Sequence, residues 1–379
     1  MKREAYAAAR TVSPKVHAYF TRRRAEAHAR GQQNLAALPE AETIEAMIDA
    51  AFWASLRREE NYMPRISLAL VSPEQAQHPL VFERLLALNP AALTRVAPAV
   101  ERAGVHLGVW HDDSDLVVWG TTRTIPQLCF VLEVAAPGLL VIKHHSGEEA
   151  GKFVNVAVLE GDMIKLVDQR ASNQPDCPAL LTSLLGFESP ASWAHSVNVL
   201  VQLAVSMRAH GRGGCLLVVP PGSESWRESI VQPMAYAVSP PFVELAQLSR
   251  ELPDDSDRRV WQEATGRTVE WVAGLTAVDG ATVITAGYEL LGFGAKIARR
   301  KGWSQVEKVM LTEPIAGSPS AVVHPEELGG TRHLSAAQFV HDQRDTAALV
   351  ASQDGRFTIF EWSTCEETVH GRRVEALLL

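Results

Sequence analysis

Two short stretches in the second half of the chain carry side chains fit for chemistry. The first is Gly329-Gly330-Thr331-Arg332-His333-Leu334-Ser335-Ala336-Ala337-Gln338. Two glycines free the backbone to turn, and a hydroxyl, a guanidinium and an imidazole follow. The spacing predicts a helix over 335–341. A glycine turn feeding cationic side chains onto a helix start suits phosphate, because unpaired N–H groups point outward there and the helix dipole adds partial positive charge. Arg332 can grip a phosphate bidentately, with His333 beside it. Thr331 or Ser335 can add a hydroxyl or cap the helix. A plain helix start with surface charges has the same spelling.

The second stretch is Asp279-Gly280-Ala281, with Val283 and Ile284 announcing a strand that leaves it. A carboxylate at a strand end can ligate Mg2+ or Mn2+, or orient a ribose hydroxyl for attack. Gly280 and Ala281 leave room for a ligand or a second subunit. The alternative is an Asp-Gly turn with a capping carboxylate.

The elements that must position these residues follow from apolar periodicity. Val199, Leu200, Leu203, Ala204 and Met207 predict a helix over 195–209, stopped at Gly211. A buried strand over 215–219 follows. The glycines at 211–214 precede this strand, whereas a Walker or Rossmann loop follows one, so they read as a helix stop and tight turn. A helix after Pro240-Pro241, a helical stretch over 261–275 and a strand over 306–311 come next. The segment 290–299 reads equally as strand or helix. Asp354-Gly355 between two β-rich runs, 346–353 and 356–362, predicts a hairpin.

The first half carries no chemistry of its own. Arg22, Arg23 and Arg24 mark a solvated helix within residues 1–36, and Ile44, Met47, Ile48, Ala51 and Phe52 an amphipathic one. A strand over 65–71, a helical region over 81–103 and a hairpin joining 106–110 to 116–120 come next. Further strands are expected over 129–134, 139–143, 153–159 and 163–167. Asp112, Asp113 and Asp115 lack EF-hand spacing and read as a solvated turn. His144 and His145 read as an incidental pair, since a metal would need further ligands.

The 379 residues are too many for one small core, and 46% hydrophobic with 21% charged is a globular composition. We expect an arm at 1–37, an α+β domain at 38–170, a connector at 171–194 and a second, mixed-sheet domain at 195–379. The net charge of -8 disfavours DNA or RNA as a partner. No C-x-x-C pair occurs among the four cysteines. Isolated cysteines, no apolar h-region behind Lys2 and Arg3, and no apolar run near 18 residues make the cytoplasm the expected compartment, without a membrane partner.

The order Asp279-Gly280-Ala281, then Gly330-Thr331-Arg332-His333, then 348–352 with Ser352 followed by 356–360, resembles the diadenylate cyclase domain, the DisA N-terminal family. The resemblance spans roughly residues 195–365. It is closest to the subgroup called DACNV, described as a probable sensor of signalling nucleotides. It implies a mixed sheet flanked by helices, an adenine nucleotide or cyclic dinucleotide as ligand, and a homodimer in which two domains meet face to face. It assigns metal or 3′-hydroxyl work to Asp279, with Mg2+ or Mn2+ where the site is catalytic. Thr331, Arg332 and His333 would contact phosphate, with Gly280, Ala281, Gly330, Ser335 and Ser352 completing the pocket. Where the family has a second arginine this chain has Leu334, a loss of about 1.5–3 kcal/mol of charge-assisted bonding if that group touched the ligand. The resemblance therefore implies a nucleotide sensor first and an active diadenylate cyclase as the alternative.

Overall fold

The computed structural model describes residues 5–58, 63–102, 104–113, 115–146, 153–168, 198–251 and 257–379. The expected connector at 171–194, the helix start at 195–197 and the loop at 252–255 lie outside the described residues. The chain divides into two compact units, Met1–Asp168 with Leu379, and Gln169–Leu378. Each is a mixed sheet with helices, so the fold is α+β.

The first unit is built on strands β1 (Ile66–Leu70), β2 (Leu80–Ala87), β3 (His106–Asp112), β4 (Asp115–Thr122), β5 (Phe130–Ala136), β6 (Leu139–His145), β7 (Phe153–Glu160) and β8 (Met163–Leu166). Their order is β2-β4-β3-β1-β5-β6-β7-β8, with β1 parallel to β3 and antiparallel to β5. Alternation decides the faces. Ile66, Leu68 and Leu70, with Phe130, Leu132 and Val134, point into one core, where α1 (Ala7–Ala29) and α2 (Ala41–Ser55) cover them. The opposite face carries Ala69, Val71, Cys129 and Val131, and Trp119 donates its indole N–H to the Val71 carbonyl at 2.8 Å.

Two expectations for this unit are corrected. The helix within residues 1–36 is not solvated all round: Val12, Val16 and Phe20, one turn apart, are buried, and Phe20 meets Phe130 at 5.8 Å. The region 81–103 is not one helix. Residues Leu80–Ala87 form the edge strand β2, and only Pro90–Val96 is α-helical (α3), capped by the Asn89 side chain. Phe82 and Leu86 pack on the core while Arg84 between them does not. The apolar spacing is therefore four, which a helix and a strand with a polar break share.

The second unit contains β9 (Gly214–Val219), β10 (Tyr236–Phe242), β11 (Ala281–Thr285), β12 (Leu290–Ala295), β13 (Val309–Thr312), β14 (Ala321–Val323), β15 (Ala347–Ala351), β16 (Phe357–Ser363) and β17 (Thr368–Arg373). Their order is β10-β12-β11-β9-β15-β16-β17-β13-β14. The ambiguous segment 290–299 is thus the strand β12. Helices α4 (Val199–Ala209), α5 (Glu244–Arg250) and α6 (Arg258–Leu275) bury Leu203, Met207, Leu245, Val269 and Val272 against Leu216, Val218, Leu349 and Ile359 on one face. After the single turn α7 (Pro325–Leu328), helix α8 (Thr331–Asp342) packs Ala336, Phe339 and Val340 on the other face, against Leu217, Val350 and Phe360.

Register places the loops. β9 runs parallel to β11, with Leu216 beside Thr282, and antiparallel to β15, with Gly214 beside Ala351. Ala281 faces Ala295 of β12, Ala351 faces Phe357 of β16, and Thr358 faces Arg373 of β17. One end of the sheet therefore gathers the starts of β9, β11 and β16 and the finishes of β12, β15 and β17. Residues 211–213, 279–280 and 352–356 all lie there.

Candidate functional site

Asp279 sits immediately before β11. Gly280 takes φ +116°, and a Cβ there would stand 2.5 Å from the carbonyl carbon of Gly294. Only glycine lets β11 and β12 approach this closely. Ala281 is buried in the strand. The Asp279 side chain is 91% exposed, and Lys296, just past β12, donates to its Oδ2 at 2.5 Å. That hydrogen bond first, then the Lys296 charge and the Arg332 charge, hold the carboxyl below its usual range. Beside the pair is a cleft of about 310 Å³ lined by Val231, Pro233, Tyr236, Val278, Asp279 and Lys296. Tyr236 stacks on Phe293 with ring centroids 4.8 Å apart, and half of its surface stays open.

The helix motif reaches the same end of the sheet. Gly330 is the N-cap of α8 and makes no side-chain cap, and neither Thr331 nor Ser335 replaces it. The capping role open to those hydroxyls is thus not the one they take. Thr331 is exposed, and Arg332 and Ser335 are half-buried. The Arg332 guanidinium lies across Gly213, its Nη1 2.9 Å from where a Cβ of that residue would be, and Gly213 takes φ +71°. The glycine loop read as a plain tight turn therefore also makes the bed for Arg332. The Arg332 charge acts on both Asp279 and Cys215, lowering the pKa of each.

His333 turns inward. Its ring packs on Gly329, where a Cβ would fall 2.5 Å from Nδ1, and meets Phe360 edge-on at 6.1 Å. Burial, followed by the charge of Arg373, lowers its pKa to about 4, so it is neutral at pH 7. Leu334 packs against the core beneath α8.

Ser352 opens the β15–β16 turn. Its N–H donates to the Arg356 carbonyl at 2.9 Å, its own carbonyl accepts from Gly355, and Gly355 takes φ +85°. Asp354 in this turn is pushed up by burial, but hydrogen bonds from Ser352 and the Arg356 N–H, with the Arg356 charge, carry its pKa below the usual value. Two strand spacings separate β11 from β15, so Asp279 and Ser352 flank Arg332 across roughly 10 Å.

Beside the Asp354–Arg356 pair of the turn, the end of the sheet thus offers a helix N-terminus without a side-chain cap, the Arg332 guanidinium and the ionised Asp279 carboxylate. Lys296, Gly213 and Tyr236 belong to it as well. None of the three is singled out by the sequence: Lys296 lies in the ambiguous segment 290–299, and no spacing ties Gly213 or Tyr236 to Asp279. For a divalent metal the fit is poor as the residues stand. Asp279 supplies a single carboxylate, the Lys296 ammonium takes the side on which a cation would sit, and no group of three or more His, Cys, Asp or Glu able to hold a metal occurs among the described residues. Cys129 and Cys215 are buried thiols, and burial pushes Cys215 up to about 12, so it is unreactive. No described helix is long and apolar enough to cross a membrane.

No curated protein matches the chain. A family model described as "Probable sensor domain DACNV" matches residues 33–123. That match lies in the first unit, upstream of the Asp279 and Arg332 motifs that carry the resemblance, and it brings a sensor description to the half of the chain in which the motifs are silent.

Proposed function

We propose that the chain is a sensor whose second unit binds a nucleotide, an adenine nucleotide or a cyclic dinucleotide, at the end of the sheet where Asp279, Arg332 and Ser352 converge. The observation that carries this reading is the convergence itself: two motifs 50 residues apart in sequence are delivered to one sheet end by β11 and α8. An uncapped helix start beside a guanidinium is a phosphate-binding arrangement. The adjoining cleft with the open face of Tyr236 suits a planar base. The sensor description of residues 33–123 supports the regulatory half of the proposal. Binding without turnover is favoured because Lys296 already neutralises Asp279 and Leu334 brings no second guanidinium. Self-association, with two such sheet ends facing one another, belongs to the same proposal.

Diadenylate cyclase activity is the second reading, kept because Asp279 is ionised and faces the same end as Arg332. Incubating the protein with ATP and Mn2+ and identifying products by mass spectrometry separates the two. The sensor reading expects unchanged ATP. A cyclic dinucleotide made by the wild type and not by Asp279→Ala would replace it with the enzyme. In calorimetric titrations, Arg332→Ala is expected to weaken nucleotide binding by about 1.5–3 kcal/mol, the size of a charge-assisted hydrogen bond. Unaltered affinity across AMP, ADP, ATP and cyclic di-AMP would remove Arg332 from the site.

A further inference from the structure

Three buried polar atoms at the same end of the second sheet make no hydrogen bond among the described residues: Nε2 of His333, Oγ1 of Thr358 and Nε of Arg373. Buried polar atoms are nearly always matched, so three in one neighbourhood ask for a partner. That they share a neighbourhood follows from register. Thr358 and Arg373 are directly opposite across β16 and β17, which puts both side chains on one face of the sheet. Phe360, two residues beyond Thr358, shares that face, and its ring is the one that His333 meets edge-on. Helix α8 covers this face, and of the charges that act on His333 that of Arg373 is the strongest.

The three atoms also agree in chemistry. The Arg373 Nε–H can only donate, a threonine hydroxyl can donate, and a neutral imidazole can present an N–H at Nε2. Arg373 already gives Nη1 to the Glu313 carboxylate at 3.1 Å, which fixes its fork and leaves Nε directed elsewhere. Thr358 and His333 are buried, whereas Arg373 and Glu313 are each nearly one-fifth exposed and so mark the open side. A group that accepts hydrogen bonds from three such donors on one face, beside a guanidinium, is an oxyanion. Arg332, one residue before His333, stands at the approach.

We propose that His333, Thr358 and Arg373 form a subsite for the terminal phosphoryl group of the bound nucleotide. Arg373 supplies from β17 the guanidinium that α8 lacks at Leu334. This deepens the nucleotide reading above and rests on it. It also gives His333 a definite role: an inward-facing imidazole that meets the ligand's far end and not its sugar.

The test is a calorimetric series of AMP, ADP and ATP against the wild type, Arg373→Met, Thr358→Val and Arg332→Ala. Thr358→Val keeps the shape of a buried β-branched side chain, so it reports on the subsite even if Arg373→Met folds poorly. Arg373→Met is expected to lower ATP affinity roughly tenfold to a hundredfold while AMP affinity is unchanged, and Thr358→Val to shift ATP in the same direction by less. Equal effects on AMP and ATP, or none on either, would overturn the subsite and identify the partner of these three atoms as water. Loss of affinity for all three nucleotides in Arg332→Ala, with no ATP-selective effect in the other two variants, would keep the nucleotide reading and reject only the subsite. A wild type that binds none of the three removes both.

Discussion

The two sheets treat their polar side chains differently. In the first unit several polar groups lie mid-sheet and pair with one another. Ser67 and His106, neighbours on β1 and β3, share a 2.7 Å hydrogen bond, and Lys143 donates to Glu133 across β5 and β6 at 2.5 Å. Tyr19 reaches His144 from α1 at 3.1 Å. In the second unit the polar side chains of the candidate site gather at one end of the sheet, and three of its buried atoms are left without a protein partner. A matched buried pair is a structural device, because its two halves cancel each other's desolvation. On the nucleotide reading, an unmatched cluster at a sheet end, where six strands start or finish, is a place for a ligand.

The largest effect expected from this contrast is in the first unit. Burial lowers the pKa of both His106 and His144 to about 4, so both are held neutral in the folded state. The unfolded chain, with histidine near 6.5, then binds more protons than the folded one between pH 6.5 and 4. Stability is therefore fully present above about pH 6.5 and falls as the pH drops toward 4. The loss approaches about 3 kcal/mol for each histidine at about 1.4 kcal/mol per pH unit. Urea unfolding followed by first-unit tryptophan signals should show this slope. His106→Gln should remove about half of it. A flat profile from pH 7 to 4.5 would mean that these histidines are solvated, and would erase the contrast between the sheets.

Smaller, and confined to the second unit, is the effect of Gly280→Ala. A side chain there must tolerate φ +116° and displace the Gly294 backbone, at a cost of about 3 kcal/mol or more. The melting of the second unit should fall while the pH profile of the first is untouched. If Gly280→Ala were as stable as the wild type, the glycine would reflect ligand access and not the close approach of β11 and β12.

How much of this was legible in the sequence depended on whether the signal was local. The Asp354-Gly355 hairpin, the strands β5 to β8 and the body of the helix read over 335–341 follow from turn chemistry and periodicity, whereas that helix starts one turn earlier, at Thr331. Leu80–Ala87 was not legible, because its pairing with β4 decides for strand where the apolar spacing allows a helix. At the site, Asp279 and Arg332 announced themselves through their glycine neighbours. Gly213 and Arg373 did not, since their roles exist only once β9, β17 and α8 are side by side. His333 was legible as a candidate but not in its direction, which is set by the room that Gly329 leaves for its ring.

The smallest expected effect concerns Lys296, and it bears most on what the site does. The Lys296–Asp279 pair is exposed on both sides, and exposed pairs add little to stability. Lys296→Met should therefore leave the melting temperature unchanged. Its consequence is electrostatic. With the ammonium gone, the first and second causes of the lowered Asp279 pKa vanish, and only Arg332 continues to pull it down. An NMR titration of the Asp279 carboxyl should show the pKa rising toward the ordinary aspartate value. The freed carboxylate should then take up Mn2+, read as enhanced water-proton relaxation that Asp279→Asn abolishes. If Lys296→Met gains no Mn2+ binding over the wild type, Lys296 is a bystander and the preference for sensing over catalysis rests on Leu334 alone. If the variant binds Mn2+ and also converts ATP, one surface lysine separates the sensor from the enzyme.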